Sequence, residues 1–269
     1  MDKTAEFVPV SFGIRLRSML KVDFRRMFKS KLFYIVIACS LVLPILITVM
    51  MTMMDGSVSV DPQTGVETVV HGPGNAWQSI GTLPGGEAMG GMDIMSMCSI
   101  NMMFLFAAVF ICLFISEDFK SGYVKNLFTV RAVKSDYVVS KTVSGFLCGA
   151  LMLIFYFIGA MLGGAVSGLS FDLGTLNAGN IVLCMLSKIF LMPVFISIFV
   201  LISAAAKQKT WLALCGSLGG GMLLFMMTSM ITPLSSTLMN VLLCLAGGAL
   251  FAVGLGAASN AVLRKTSLV

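Results

Sequence analysis

LFYIVIACSLVLPILITVMMTMM, Leu32–Met54, carries no charged side chain from one end to the other. As a helix it covers about 30 Å of hydrocarbon, the thickness of a bilayer core. It lacks the period-two alternation of a strand and is far longer than a barrel strand. Five more runs of the same kind follow: Ile94–Ser116, Thr142–Leu169, Ile181–Ala206, Thr210–Ile231 and Leu238–Leu263. The reading is an all-α integral membrane protein with six transmembrane helices. Residues 32–269 form that helical domain, behind a cytoplasmic N-terminal segment, 1–31.

Composition excludes the main alternative. With 11% charged residues in a chain of 269 and a mean hydropathy of +0.98, too much apolar surface exists for a water-soluble fold to hide. The charge is also sorted. No Lys or Arg lies between Lys31 and Lys120, whereas Asp55, Asp61, Glu67, Glu87 and Asp93 do. Folding the chain back and forth places nearly all the positive charge on one face, which puts both termini in the cytoplasm. The net charge of +6 therefore serves topology and anionic headgroups, not nucleic acid. A cleaved leader is not expected, because the first apolar run begins only after Lys31 and is too long for one.

Ahead of the first crossing, Phe12, Leu16, Met19, Leu20, Phe24, Met27 and Phe28 recur at helical spacing within Ser11–Lys31. Arg15, Arg17, Lys21, Arg25 and Arg26 fill much of the remainder. This pattern predicts an amphipathic helix in the interface plane, apolar face toward lipid and basic side chains toward phosphates. The outer loop 55–93 is rich in Gly, Pro and acid, and reads as a flexible or partly ordered cap. Glycines spaced by four (Gly145/Gly149, Gly159/Gly163, Gly164/Gly168, Gly216/Gly220) predict close helix approach. Pro44 and Pro193 predict kinks. The seven cysteines are scattered singly and read as small packing residues.

Few residues within the crossings could carry chemistry. Lys188 breaks the charge rule; it is expected to snorkel to the outer interface, the alternative being a buried cation partnered by Asp172 or a headgroup. Asn101, Ser197 and Thr228 are the polar groups that could help line a pathway. Methionines crowd the outer ends of the first two helices: Met50, Met51, Met53 and Met54, then Met89, Met92, Met95, Met97, Met102 and Met103. Ordinary packing, an adaptable apolar lining and soft-metal capture are the readings available. Copper is disfavoured because His71 is the lone histidine, and no metal site is assigned. The crossings hold neither acid nor His, so no catalytic residue is assigned either.

The cytoplasmic segment EDFKSGYVKNLFTVRAVKSDYVVSK, residues 117–141, is more specific. Gly122 permits a sharp bend, and Val124, Leu127, Phe128 and Val130 can form the apolar side of a short helix along the membrane. An ordinary basic loop is the bland alternative. The order Glu117, Gly122, Leu127, Arg131, Tyr137, Lys141, with six crossings and a basic interfacial helix, resembles the permeases of the ABC-2 type, the membrane subunits of ATP-driven exporters. In that family this loop supplies a coupling helix that docks on the ATPase. The resemblance thus implies that Glu117, Asp118, Gly122, Lys125, Leu127, Phe128 and Arg131 make that contact.

The resemblance further implies an ABC ATPase subunit, a second permease half (identical or not) and surrounding lipids as partners, in a bacterial plasma membrane. No phosphate-wrapping G-x-x-x-x-G-K-[ST] stretch occurs, so ATP and Mg would be bound by the partner and no cofactor by this chain. Thr232–Thr237 is too short for the re-entrant helices of polysaccharide exporters. The layout resembles the small permeases of bacitracin- and lantibiotic-type systems, implying an amphiphilic cargo such as an antimicrobial peptide or drug. A transporter driven by an ion gradient, or a scaffold or sensor subunit that moves nothing, are the competing readings. The absence of Asp and Glu from the crossings weighs against the former.

Overall fold

The computed structural model describes residues 11–60, 67–69, 72–81, 99–130 and 133–265. The helices run α1 (Phe12–Lys29), α2 (Lys31–Met53), α3 (Met102–Lys120), α4 (Tyr123–Val130), α5 (Ser135–Val166), α6 (Ala178–Ala206), α7 (Thr210–Ile231) and α8 (Leu238–Lys265). Of these, α2, α3, α5, α6 and α8 are long and apolar enough to cross a bilayer, and α7 adds a shorter apolar stretch, Thr210–Phe225. The expected six-helix architecture is therefore present. Several ends differ from expectation: α3 begins at Met102 rather than Ile94, α5 ends at Val166 and α6 begins at Ala178. Helix α3 runs on to Lys120 and α5 begins at Ser135, so both carry charged residues well past their apolar runs.

Helices α3 and α6 form the centre, with Phe104 stacked on Phe195 at 4.6 Å between ring centroids. Around them α2 lies against α5, α8 against α6, and α7 against α3 and α6. Glycines set two of these contacts. A Cβ on Gly159 would collide with the Leu41 carbonyl oxygen of α2, and one on Gly163 would come within 2.9 Å of Ile45 Cα. The α2–α5 pair is thus backbone against backbone, as the four-residue spacing predicts. Gly149 receives Met192 of α6, and Gly248 of α8 lies against the Phe190 carbonyl. The pair Gly164/Gly168 does not act as a pair: Gly164 meets Ala76, whereas Gly168 takes a positive φ of 67° just after α5 ends. Pro44 and Pro193 lie inside unbroken helices.

On the outer side, β1 (Val58–Val60) and β2 (Glu67–Val69) pair antiparallel as a small hairpin. A 3-10 turn over Ala76–Ser79 follows, and it is stitched to the connection between α5 and α6. Ala76 N–H donates to Ser170 O at 3.0 Å, Asn75 Nδ2 to Asp172 O at 2.5 Å and Trp77 Nε1 to Phe171 O at 3.2 Å. The described part of the cap is thus anchored on backbone carbonyls of a neighbouring turn. Among the described methionines, Met50, Met53 and Met54 are exposed and Met103 is in the core, so these do not share one lining. Met89, Met92, Met95 and Met97 lie outside the described residues.

Candidate functional site

Ser30 leaves the helical region (φ −75°, ψ 128°) and separates α1 from α2 without a linker. That break lays α1 across the inner ends of the bundle, mainly against α5. Met19, Asp23 and Met27, spaced by four on one face, are buried there. The expectation that the apolar stripe faces lipid is corrected for this part of the helix: its centre packs on protein, and Phe12, Ile14, Val22 and Phe28 remain exposed.

Asp23 enters a closed charge cluster. Lys141 Nζ of α5 lies 2.7 Å from Asp23 Oδ1 and 2.7 Å from Asp118 Oδ2 of α3, and all three side chains are fully buried. Arg26 Nη2 of α1 pairs with Asp118 Oδ1 at 2.6 Å. Tyr137 Oη donates to Asp118 Oδ2 at 3.1 Å, and Ser140 Oγ to Asp23 Oδ2 at 2.6 Å. The Lys141 ammonium also sits 4.0 Å from the centroid of Phe114, and the Arg26 guanidinium 4.4 Å from that of Tyr123. Two cations face two carboxylates, which is the condition under which buried charge is tolerable. Burial works against the Arg26 charge, but Asp118, with Asp23 and Tyr123 behind it, holds the guanidinium above its ordinary value. A second pair, Arg15 Nε to Asp136 Oδ2 at 3.0 Å, fixes the start of α1 to the start of α5.

The cluster sits at the root of α4. Asp118 lies in the last turn of α3, and Gly122 (φ 72°) then turns the chain into α4. Val124 is buried, Leu127 and Phe128 are half-buried, and Lys125, Asn126 and Thr129 are exposed. This is the short amphipathic helix expected from the sequence. Phe128 meets Tyr137 edge to face at 5.8 Å. Lys134 Nζ donates to Leu263 O at 2.7 Å, tying the inner end of α8 to the same region.

Some assigned residues stand elsewhere than expected. Asp118 is no surface contact; its carboxylate is consumed inside the cluster. Arg26 and Arg15 serve ion pairs with protein carboxylates, whereas Arg17, Lys21 and Arg25 are exposed. Glu117, Gly122, Lys125, Leu127 and Phe128 are at or beside the surface of α4, and Arg131 lies outside the described residues. Asp23 was missed by sequence reasoning, although an acid at the middle of the buried Met19–Met27 stripe was the available signal.

On the outer side the expectation for Lys188 is corrected. Its side chain is fully buried and does not snorkel. Nζ donates to Asn101 Oδ1 at 2.7 Å, Thr232 Oγ1 at 3.0 Å and Thr232 O at 3.3 Å. Neither Asp172 nor a headgroup is the partner; neutral oxygens are. Asn101 Nδ2 in turn donates to Ser229 Oγ at 3.0 Å. Lys188 thus joins the start of α3, the middle of α6 and the α7–α8 turn. Thr228 and Ser197 are buried but spend their hydroxyls on backbone oxygens of their own helices, Phe225 O and Val194 O.

Among known proteins, the model of the ABC-2 family transporter proteins matches residues 19–223, from the middle of α1 into α7. No curated protein and no solved structure matches the chain. The match covers the charge cluster, α4 and the helices that carry them. The chain belongs to the ABC-2 transporter family: it is the multi-pass membrane permease component of an ABC transporter, the part that works with an ABC ATPase subunit.

Proposed function

We propose that the chain is the permease of an ATP-driven exporter and that α4 is the helix on which the ATPase presses. The observation that carries this reading is the position of α4. It is an eight-residue amphipathic helix with a polar face open to solvent, rooted in a buried cluster that binds α1, α3 and α5 together. A push on Lys125, Asn126 and Thr129 reaches three helices through one set of ion pairs, and Glu117, Gly122, Leu127, Phe128 and Arg131 complete the contact. The partner supplies the ATP and Mg site, and two permease halves complete the membrane unit in a bacterial plasma membrane.

The cargo is an amphiphile, such as an antimicrobial peptide or drug. Ion-pair recognition has little to work with. Among the described residues of the crossings, Lys188 is the charged side chain farthest from a helix end, and it is occupied by Asn101 and Thr232. Lys141 and Asp118, near the inner ends, are spent on each other. Apolar and shape contacts are left to select the cargo. The test is co-expression with candidate ABC ATPases and measurement of ATP hydrolysis and peptide export. Gly122→Val strains the left-handed turn into α4 by about 1–2 kcal/mol and should lower export while basal hydrolysis continues. Export that survives both Gly122→Val and Lys125→Glu would sink the assignment of α4.

A further inference from the structure

Where α1 meets α2, a cleft of about 550 Å³ is lined by Arg25, Arg26, Lys29, Ser30, Lys31, Leu32, Phe114 and Glu117. We propose that this cleft is a binding site for the phosphate headgroup of an anionic phospholipid of the inner leaflet. Four cationic side chains line it against the single carboxylate of Glu117. Arg25, Lys29 and Lys31 are exposed and carry no ion pair with a described carboxylate. Arg26 spends Nη2 on Asp118, and its Nη1 is buried without a hydrogen-bond partner among the described residues.

The backbone contributes as well. Ser30 precedes α2 and makes no side-chain cap, so the first N–H groups of a 23-residue helix begin at this cleft. Its remaining walls, Leu32 and Phe114, are apolar, which suits the glycerol and upper acyl portion of a lipid better than a hydrated ion. Position favours the same ligand. The cleft lies at the start of a membrane-spanning helix on the basic side of the protein, the depth of lipid phosphates. Arg26 is shared between the cleft and the charge cluster, so a bound headgroup would touch the same guanidinium that holds Asp118.

The test uses the purified full chain in detergent, mixed with phosphatidylglycerol or phosphatidylcholine of identical acyl chains. Retained lipid is counted by native mass spectrometry. Wild type should retain phosphatidylglycerol in preference. Lys29→Gln/Lys31→Gln should cut that retention by roughly tenfold or more, while Arg17→Gln/Lys21→Gln, an equal charge loss on α1 outside the cleft, should leave it within about twofold. Millimolar inorganic phosphate should not compete. Equal losses in the two doubles, or no loss in the first, would overturn the proposal. Competition by inorganic phosphate would reassign the cleft to a free anion. Unchanged lipid retention with lost ATPase co-purification would reassign it to an acidic protein segment. Lys29→Gln alone, at an exposed position, stands in if the double variant loses its folded size-exclusion profile.

Discussion

Lys141 and Asp23, 118 positions apart in the chain, meet at 2.7 Å with both side chains fully buried. Their pairing fastens the interfacial helix to α5, and through Asp118 to α3. Removing the cation alone leaves the buried Asp23 with only the Ser140 hydroxyl, while Asp118 keeps Arg26 and Tyr137. Lys141→Met should therefore destabilise the protein by about 3–5 kcal/mol, read as a lowered melting temperature in detergent. Asp23→Asn/Lys141→Met should recover part of the loss, since the orphaned charge is then reduced.

Asp118 and Glu117 are neighbours with opposite duties. Asp118→Asn loosens Arg26, Lys141 and Tyr137 together, so export should fall more steeply than ATPase binding. Glu117 is exposed, and Glu117→Gln should cost less than about 1 kcal/mol of stability while weakening the ATPase contact. Co-purification yield beside substrate-stimulated hydrolysis separates the two. Identical behaviour of both variants would contradict the division.

Lys188 is a buried cation among neutral oxygens. Lys188→Met gives up hydrogen bonds but also relieves the cost of holding a charge away from water, so its stability should stay within about 2 kcal/mol of wild type. Lys188→Glu sets a carboxylate against the carbonyl of Thr232 and should prevent the fold from forming. Export by the Met variant is the informative measurement: unchanged transport would leave the Lys188 link as mere packing.

Adjacent glycines in α8 make a control for helix approach. Gly248→Ala drives a methyl group into the Phe190 carbonyl of α6, whereas a Cβ on Gly247 meets nothing within 4 Å. The former should cost about 1–3 kcal/mol, and the latter should be neutral or slightly stabilising. Gly159→Ala, against Leu41, should resemble the former. Melting temperatures of the three variants check the order.

The architecture was legible because lipid imposes a length and an apolarity that single helices must satisfy alone. α7 occupies the run Thr210–Ile231 with unchanged ends for that reason. The short helix after Gly122 was legible from its spacing. The charge cluster was not, because Asp23 stands amid basic residues and looks like a neutralising surface charge. Only the packing of α1 on α5 turns it inward. Lys188 was misread for a related cause: its partners Asn101 and Thr232 come from remote segments, and nothing local to α6 announces them.

The stitching of the Asn75–Trp77 turn onto the α5–α6 connection has a mechanical corollary. Together with the glycine mesh between α2 and α5 and the ion pairs beneath them, it clamps one side of the permease at the top, the middle and the bottom. Backbone against backbone leaves that side little room to repack. Where it abuts α6, Gly149 is filled by the pliable thioether of Met192, a contact with more rotamers to adopt.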